Sequence, residues 1–260
     1  MTIESADLAA ELTLALHLAD LADEVTMRHF RSQSLVVETK ADQTEVTIAD
    51  RSTEDLLRVR INAARPTHGV LGEEHGVTDA AATSRWIIDP IDGTSNYVRG
   101  VPVWATLIAL EVDGHIELGV VSAPALGRRW WATKGFGAFL NGDRLRVSEV
   151  SDLQHAFLSY SEGPWTQSLR RGGIDALRAT VGRERAFGDF WQHMLVAEGA
   201  IDIAAECIVS LWDLAAIKII VEEAGGMFTD LSGQKRADGG SAVSTNGILH
   251  ADVLSTLAGT

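Results

Sequence analysis

The sequence has a single cysteine, only five prolines and no run of 18 consecutive apolar residues among its 260 positions. One cysteine, Cys207, cannot form a disulfide within the chain, which fits a reducing compartment. Without a long apolar run, the chain is predicted not to span a membrane. Basic residues are also few, 22 against 36 acidic, and the net charge of −14 disfavours binding to nucleic acid or to anionic lipid.

Acidic residues dominate the beginning of the chain. Glu4, Asp7, Glu11 and Asp20 precede Arg28, the first lysine or arginine, which is the opposite of the charge pattern of a secretion signal. The overall composition, 46% hydrophobic and 22% charged, is that of a globular protein. We therefore expect a cytoplasmic protein with a small-molecule or protein partner.

Hydrophobic periodicity predicts helices followed by an antiparallel meander in the first half of the chain. Apolar residues lie at helical spacing from Leu8 to Ala19, and a second helix is predicted over residues 47–64. Turn signals such as Asp113-Gly114 and Asn141-Gly142 then bound apolar runs. The predicted strands are Trp104–Val112, Ile116–Ala123 and Gly135–Leu140.

The second half of the chain instead alternates helices with short strands. The predicted helices are Trp165–Thr180, Asp189–Ala200, Trp212–Ala224 and Ile248–Leu257. No segment rich in proline or glycine separates the halves. We therefore expect one domain over residues 1–260, with an α+β half at 1–150 and an α/β half at 151–260.

The densest chemical signal is the segment Ile87-Ile88-Asp89-Pro90-Ile91-Asp92-Gly93-Thr94-Ser95. Two carboxylates after a strand predicted to end in Asp89 suit a hard divalent cation, which prefers oxygen ligands. Residues 93–95 are small and present free N–H groups, which favours phosphate binding. A turn of this kind taken alone is better explained by aspartates that cap their own backbone.

Two further acidic motifs flank this segment. Glu73 follows a short apolar stretch in Gly72-Glu73-Glu74, and Asp213 lies at a predicted helix start in Leu211-Trp-Asp-Leu-Ala-Ala216. Taken singly, Glu73 is typical of a solvated loop acid and Asp213 of a helix N-cap. The three motifs together form a combination that chance rarely produces.

The three motifs resemble those of the inositol-monophosphatase family, which are magnesium-dependent, lithium-sensitive phosphomonoesterases. The resemblance extends from about Asp7 to Asn246 and includes Lys40-Ala-Asp-Gln-Thr-Glu-Val-Thr-Ile-Ala-Asp50 and Glu222-Glu-Ala-Gly-Gly226. It implies a layered αβαβα sandwich and a homodimer.

The resemblance also implies two or three Mg²⁺ ions in each site. Asp89 would bridge two of them, and a third, weaker ion would depend on Glu73 and waters near Asp50. The implied metal ligands are Glu73, Asp89, the carbonyl of Ile91, Asp92 and Asp213. The eight histidines show no spacing typical of zinc sites.

The residues that the resemblance implies for catalysis are Asp50, Glu73 and Thr94. Asp50 would accept a hydrogen bond from Thr94, and this pair would orient the water that attacks phosphorus. The reaction would be a metal-activated attack by water without a phosphoenzyme, so neither a cysteine nor a serine nucleophile is required.

The metal motifs do not distinguish the family's substrates, so specificity has to come from the pocket. Inositol-type members have small residues in the segment that here reads Arg185-Ala-Phe-Gly188-Asp189-Phe190-Trp191-Gln192. An acid at Asp189 disfavours a second phosphate and suits a cationic amine. With Pro102-Val-Trp104 and Leu195-Val-Ala197, the segment resembles the histidinol-phosphate phosphatase branch. This predicts hydrolysis of L-histidinol phosphate to L-histidinol and phosphate, a step of histidine biosynthesis.

The predicted substrate-binding residues are Asp92, Gly93, Thr94, Ser95, Arg185, Asp189, Glu206 and Asp213. Several assignments have alternatives: Arg185 could contact a neighbouring chain, and Glu206 could serve either a sugar hydroxyl or histidinol phosphate. Glu198 is either a second carboxylate near the ligand or a surface charge. The aromatic residues Trp104, Phe190 and Trp191 could simply be core.

Two other functions remain open at this point. One is a phosphatase for inositol 1-phosphate or for a broad range of sugar phosphates. The other is an inactive member that acts as a metabolite-binding scaffold, against which stands the presence of every acid that two metal ions require.

Overall fold

Helices alternate with two β-sheets across the molecule, whose computed structural model describes residues 5–40, 44–161, 165 and 171–259. The helices of these residues are α1 (Ser5–His29), α2 (Ile48–Ala64), α3 (Thr94–Val98), α4 (Arg171–Thr180), α5 (Asp189–Ala197), α6 (Leu211–Glu223) and α7 (His250–Ala258). The strands of the first half are β1 (Val37–Thr39), β2 (Glu45–Thr47), β3 (Gly69–Gly72), β4 (Gly76–Thr78), β5 (Ser84–Asp92), β6 (Ala105–Val112), β7 (His115–Ala123), β8 (Arg128–Thr133), β9 (Gly137–Leu140) and β10 (Asp143–Arg144). Those of the second half are β11 (Phe157–Tyr160), β12 (Arg183–Arg185), β13 (Ile203–Glu206), β14 (Met227–Thr229) and β15 (Ala242–Thr245).

The larger sheet is built around the antiparallel meander that the turn signals predict. Its eight strands lie in the order β10-β9-β8-β7-β6-β5-β3-β4, and each strand from β5 to β10 is antiparallel to the next. The smaller sheet has the order β12-β11-β13-β15-β14, with β11 parallel to both of its neighbours. Strands β1 and β2 form a separate hairpin.

Three layers of helices enclose the two sheets. Helices α1 and α2 cover one face of the larger sheet, where Leu57 packs with Trp86. Helices α5 and α6 lie between the sheets, and their core cluster includes Ile220 of α6 and Phe228 of the smaller sheet. Helices α4 and α7 cover the outer face of the smaller sheet. The αβαβα sandwich implied by the family resemblance is therefore confirmed.

In the part of the chain that the structure describes, no helix is both long enough and apolar enough to cross a membrane.

Strand β8 is the main element that the sequence analysis did not predict. It begins with Arg128 and Arg129, which obscure its hydrophobic pattern. Beyond them the side chains alternate as a strand requires: Trp130 packs in the central helix layer, and Trp131 packs against the cluster below α1. The aromatic run at 130–131 is the signal that could have revealed this strand.

The predicted helices are confirmed, with shifted ends. The helix predicted over residues 189–200 ends at Ala197, because Gly199 adopts a left-handed conformation with φ +70°. The helix predicted over residues 165–180 is seen from Arg171, and residues 166–170 lie outside the described residues. The helices predicted over residues 212–224 and 248–257 differ from α6 and α7 by one or two residues at each end.

The prediction that the central strand ends at Asp89 is wrong, since β5 continues to Asp92. Its pairing with β6 shifts register here, because Asp89 lies opposite Leu107 whereas Asp92 lies opposite Ala105. Three steps along one strand therefore match two along the other, which is a β-bulge. Pro90 has no N–H, and a bulge tolerates it because a residue there need not donate to the neighbouring strand. In a regular strand, residues three apart face opposite sides. The bulge turns both aspartates towards the same side.

Helix α6, which carries Asp213, packs directly on β7 at Gly119. A Cβ atom at this glycine would lie 2.7 Å from the carbonyl oxygen and 2.8 Å from the Cα of Ala216. Both neighbours are backbone atoms of the helix and cannot rotate away. Close contact between helix and sheet therefore requires a glycine at this position.

We expect Gly119→Ala to lower the free energy of unfolding by about 1–3 kcal/mol, the usual cost of overpacking a core. Gly172→Ala is the matched control, because a Cβ there meets no atom within 4 Å. It should be neutral, or stabilising by up to about 1 kcal/mol. Urea unfolding of both variants measures the difference, and equal stability of the two would contradict this account of the helix–sheet contact.

Candidate active site

Among the described residues, six carboxylates line one cavity of about 210 Å³ where the end of β5 meets the first turns of α5 and α6. No lysine or arginine belongs to the described residues that line it. The lining residues are Glu73, Asp89, Ile91, Asp92, Gly93, Thr94, Ser161, Asp189, Phe190, Glu206, Ile208, Val209, Asp213 and Ile217.

Three of these acids converge closely enough to share one cation. Each of Asp89, Asp92 and Asp213 has a carboxylate oxygen within 4.8 Å of an oxygen of the other two. The bulge in β5 brings the first two together, and the first turn of α6 supplies the third. In α6, Asp213 accepts a hydrogen bond from the Ser210 N–H at 2.7 Å, so the helix capping box fixes its side chain.

Burial and mutual repulsion raise the pKa of each member of this cluster. Burial raises the pKa of Asp89, and the charges of Glu73, Asp92 and Asp213 raise it further. The pKa of Asp92 is raised by burial and by Asp189 and Asp213. Burial raises the pKa of Asp213 to about 7, against the hydrogen bond from Ser210. A divalent cation would relieve this repulsion, so the donor set fits a hard metal ion.

Glu73 lies in the turn between β3 and β4, and its carboxylate accepts a hydrogen bond from Lys40 Nζ at 2.8 Å. The same ammonium lies 2.6 Å from Glu74. Burial opposes the charge of Lys40, but its contacts with the two glutamates outweigh burial and raise the pKa of the amine. Lys40 therefore keeps its positive charge at the rim of an otherwise acidic site.

Thr94 connects the metal cluster to Asp50. Its hydroxyl lies 2.9 Å from the carbonyl oxygen of Ile91 and 3.4 Å from Asp50 Oδ1. Asp50 itself is fully buried, and its other oxygen accepts hydrogen bonds from the N–H and the hydroxyl of Thr47. Burial raises the pKa of Asp50 to about 6 in spite of these hydrogen bonds from Thr47. Asp50 does not line the cavity but contacts Thr94, which does.

Gly93 makes the sharp turn from β5 into α3. It has φ +82°, and a Cβ here would lie 3.1 Å from the carbonyl oxygen of Val103. Both features favour glycine. Of the small residues that follow, Thr94 lines the cavity, whereas Ser95 is exposed and is not among the lining residues.

Asp189 and Glu206 form a second acidic wall, contributed by α5 and β13. Asp189 lies 3.3 Å from Asn96 Nδ2, and its residue adopts φ +46°, a conformation that aspartate and asparagine tolerate better than most residues. Burial and the charge of Glu206 raise the pKa of Asp189 to about 6. Glu206 accepts a hydrogen bond from the Ser161 hydroxyl, and its other oxygen lies 3.2 Å from the buried ring of His193.

Not all of the predicted substrate-binding residues are brought to this cavity. Arg185 lies in the edge strand β12, where its exposed side chain donates to the carbonyl of Glu184. It does not line the cavity, and neither does Ser95. The sequence analysis did not single out four lining residues: Ser161, Ile208, Val209 and Ile217. Ile208 and Val209 were detectable, since they stand between Glu206 and Asp213.

Glu198 is neither a second carboxylate near the ligand nor a surface charge. It caps the end of α5, where it accepts hydrogen bonds from Arg128 at 2.5 Å and from the indole of Trp130 at 2.8 Å. Trp104 is fully buried at 4.9 Å from the ring of Tyr97, which makes it core. Phe190 packs in the central helix layer but also reaches the cavity.

Comparisons with known proteins agree with this architecture. A family model described as the inositol monophosphatase family matches residues 7–258. The chain is 53% identical over 253 residues to a histidinol-phosphatase of Mycobacterium tuberculosis, covering 95% of this chain and 97% of that protein. It is 50% identical over 261 residues to a histidinol-phosphatase of Streptomyces coelicolor, covering 96% and 98%. The crystal structure of the extragenic suppressor protein suhB from Bartonella henselae superimposes with a TM-score of 0.89 at 30% identity, covering 95% of this chain and 98% of that one.

A layered sandwich with clustered acids at the bulge of a central strand is the architecture of a metal-dependent phosphoric monoester hydrolase. The chain belongs to the inositol monophosphatase family, whose model covers nearly all of it.

The raised pKa values predict how stability without metal depends on pH. In the unfolded chain an aspartate titrates near 3.8, whereas burial raises the pKa of Asp213 to about 7 and that of Asp50 to about 6. Between these values the folded protein binds more protons than the unfolded chain, so stability should fall as pH rises from about 4 to about 7. Thermal unfolding in a chelator measures this fall, which added Mg²⁺ should reduce.

Asp213→Asn should reduce the loss of stability with rising pH, because it removes the group with a pKa near 7. Asp175→Asn is the matched control, because Asp175 is a solvent-exposed acid of α4 whose side chain is 58% exposed. A metal-free protein that becomes more stable between about pH 4 and about pH 7 would contradict the assignment.

Proposed function

We propose that the protein hydrolyses L-histidinol phosphate to L-histidinol and phosphate. The observation that carries this proposal is the second acidic wall, Asp189 and Glu206, which faces the same cavity as the metal cluster. The substrate has an anionic phosphate at one end and an imidazole at the other, with a cationic amine on the carbon between them. A cavity with a cation-binding cluster and a separate pair of carboxylates complements both ends. The relatives named histidinol-phosphatase support the same substrate.

We propose that two or three Mg²⁺ ions occupy the acidic cluster. The residues that would hold them are Glu73, Asp89, the carbonyl of Ile91, Asp92 and Asp213. When bound, the ions would neutralise charge on the phosphate and lower the pKa of a water molecule. The buried, mutually repelling acids described above are the feature that supports this occupancy.

Asp50 and Thr94 are proposed to orient the attacking water. Since burial raises the pKa of Asp50 only to about 6, its carboxylate is mostly ionised at pH 7 and accepts hydrogen bonds. Thr94 Oγ1 has two acceptors, the carbonyl oxygen of Ile91 at 2.9 Å and Asp50 Oδ1 at 3.4 Å, so one of them takes its single proton and its lone pairs can accept from a water molecule. A water molecule held by those lone pairs would keep one orientation, and Glu73 lines the same cavity.

Asp189 is proposed to bind the amine of the substrate. Asn96 Nδ2 lies 3.3 Å from Asp189 Oδ2, so the amide can hold this carboxylate by a hydrogen bond. An ammonium group beside the carboxylate would favour its ionised form and lower the raised pKa of Asp189. Glu206, held by Ser161 and His193, would bind the imidazole or a hydroxyl group. Gly93, Thr94 and Asp213 would contact the phosphate end, whereas Ser95 and Arg185 have no place in the cavity of a single chain.

A phosphatase for inositol 1-phosphate or other sugar phosphates is the second candidate. Glu206 favours it, because a carboxylate accepts hydrogen bonds from sugar hydroxyls as well as it binds a cation. Asp189 distinguishes the two, since a neutral sugar gains nothing from a second buried charge. Turnover of histidinol phosphate and of inositol 1-phosphate at equal Mg²⁺ separates them.

Three further expectations from the sequence remain proposals. We propose that residues 1–260 act as one phosphatase domain, which is supported by the single core cluster that both sheets share with α5 and α6. A homodimer and a cytoplasmic location are proposed from the family resemblance and from the composition, respectively. Analytical ultracentrifugation tests the homodimer, and fractionation of cells tests the cytoplasmic location.

Asp89→Asn should abolish Mg²⁺-dependent phosphate release, because it removes one carboxylate of the proposed metal-binding cluster. The fold should persist, since removing one of several repelling buried charges relieves repulsion. Phosphate release at saturating Mg²⁺ and the melting temperature in a chelator measure the two effects. Turnover near that of the unaltered protein would show that the metal assignment is wrong.

Asp189→Asn should reduce kcat/KM for histidinol phosphate by roughly 10-fold to 100-fold, the loss expected for a charge-assisted contact of about 1.5–3 kcal/mol. Asparagine also tolerates the left-handed backbone at this position, so the fold is preserved. Slow hydrolysis of glycerol 2-phosphate, which has no amine, should hardly change.

Asp175→Asn, which removes an equal charge from the exposed surface of α4, controls for the overall electrostatic field. It should leave both substrates unaffected. Equal losses on both substrates in Asp189→Asn would retain the phosphatase chemistry and remove the argument for histidinol phosphate.

A further inference from the structure

Helix α2 carries a buried acid that the proposed mechanism does not use. Glu54 lies one turn after Asp50, and its side chain is 0% exposed. A buried carboxylate is costly unless its oxygens are satisfied, so its partners indicate what it does.

Both oxygens of Glu54 bind the turn that carries Glu73. Oε2 accepts the backbone N–H of Glu74 at 2.8 Å, and Oε1 accepts the backbone N–H of His75 at 3.1 Å. Two consecutive amides thus point at one carboxylate. Hydrogen bonds to an ionised acceptor are stronger and shorter than neutral ones. The turn between β3 and β4 is therefore fixed to α2 through its backbone.

Arg58 completes this contact from the next turn of α2. Its Nε donates to Glu54 Oε1 at 2.8 Å, and its Nη2 donates to the carbonyl of Gly76 at the far end of the turn. Glu54 and Arg58 thus bind the turn at both ends: Glu54 accepts from its N–H groups, and Arg58 donates to its carbonyl.

The preceding residue shows how closely the helix and the turn approach. A Cβ atom built on Gly72 would lie 2.5 Å from Cδ and 2.8 Å from Oε2 of Glu54. Any side chain at this position would displace the carboxylate. The sequence therefore has a glycine where the strand meets Glu54.

We propose that Glu54, supported by Arg58, is a positioning residue that holds Glu73 in place for metal binding. Lys40 contacts the Glu73 side chain, but the same ammonium also contacts Glu74, so this shared ion pair does not by itself fix the backbone of the turn. The backbone of the turn determines the position from which the Glu73 side chain extends, and Glu54 fixes that backbone by its hydrogen bonds. Because α2 also carries Asp50, one helix aligns two of the residues to which the reaction is assigned. This inference rests on the proposed role of Glu73 as a metal ligand.

Titration calorimetry with Mg²⁺ alone tests the proposal. Glu54→Gln keeps the shape of the side chain but replaces one acceptor oxygen by a donor group, which cannot accept an N–H. Mg²⁺ should bind at least about tenfold more weakly, equivalent to about 1.4 kcal/mol. Asp55→Asn is the matched control: this neighbouring acid contacts His75 from outside, its side chain is 68% exposed, and its substitution should leave the Mg²⁺ Kd within twofold.

A purely structural role for Glu54 predicts a different result. The melting temperature in a chelator would then fall, while the Mg²⁺ Kd of the folded variant would stay within twofold of the unaltered protein, and this outcome overturns the proposal. If the unaltered protein itself bound no Mg²⁺, the proposed function would fail together with this inference. Binding by the unaltered protein and equal binding by Glu54→Gln would remove this inference alone.

Two further measurements keep the test decisive if Glu54→Gln does not fold. Gly72→Ala should displace Glu54 without removing it and should weaken Mg²⁺ binding in the same way. In the unaltered protein, the amides of Glu74 and His75 should exchange with solvent at least about tenfold more slowly than unprotected amides, because a buried carboxylate accepts both. Unprotected exchange at both amides would overturn the proposal.

Discussion

Mutual repulsion among buried carboxylates governs the arrangement of the site and of the elements around it. Asp89, Asp92 and Asp213 have raised pKa values, so the fold holds these groups together against an electrostatic penalty. Each is held by a backbone N–H: those of Ile91, Phe190 and Ser210, at 2.7–2.9 Å. These bonds orient the oxygens but do not cancel the repulsion, which leaves a site whose stability is coupled to the binding of cations.

The layered architecture explains how those N–H groups come to be available. Amides in the first turn of a helix have no partner within the helix, and the N–H groups of Phe190 and Ser210 lie at the starts of α5 and α6. Both helices belong to the central layer and begin at the cavity, where the larger sheet has its bulge at Pro90. The contact of Gly119 with Ala216 sets how closely α6 approaches the sheet. The positions of the acids are thus a consequence of packing between layers.

The acids themselves could be predicted from the sequence, because each lies in a short local motif. The αβαβα fold was likewise implied by those motifs, and the meander by its turn residues. The bulge in β5 was missed because nothing in Asp89–Asp92 reveals the register against β6. Strand β8 was missed because Arg128 and Arg129 mask its pattern. Ser161 and Glu54 were beyond reach for a different reason: the first contacts Glu206 and the second the backbone of Glu74, each through a contact distant in sequence.

The acidic lining also bears on which substrate the cavity favours. A phosphate would be repelled by six carboxylates, so it requires the metal ions as counter-charges. Asp189 and Glu206 lie outside the cluster of three acids that converge within 4.8 Å, and that cluster is where a cation has its ligands. Among the described residues neither is paired with a lysine or arginine, since Asp189 contacts the amide of Asn96 and Glu206 the ring of His193, so a positive group on the substrate would balance their negative charge. A substrate that combines a phosphate with an ammonium group satisfies both walls at once, whereas a neutral sugar phosphate leaves the second wall uncompensated.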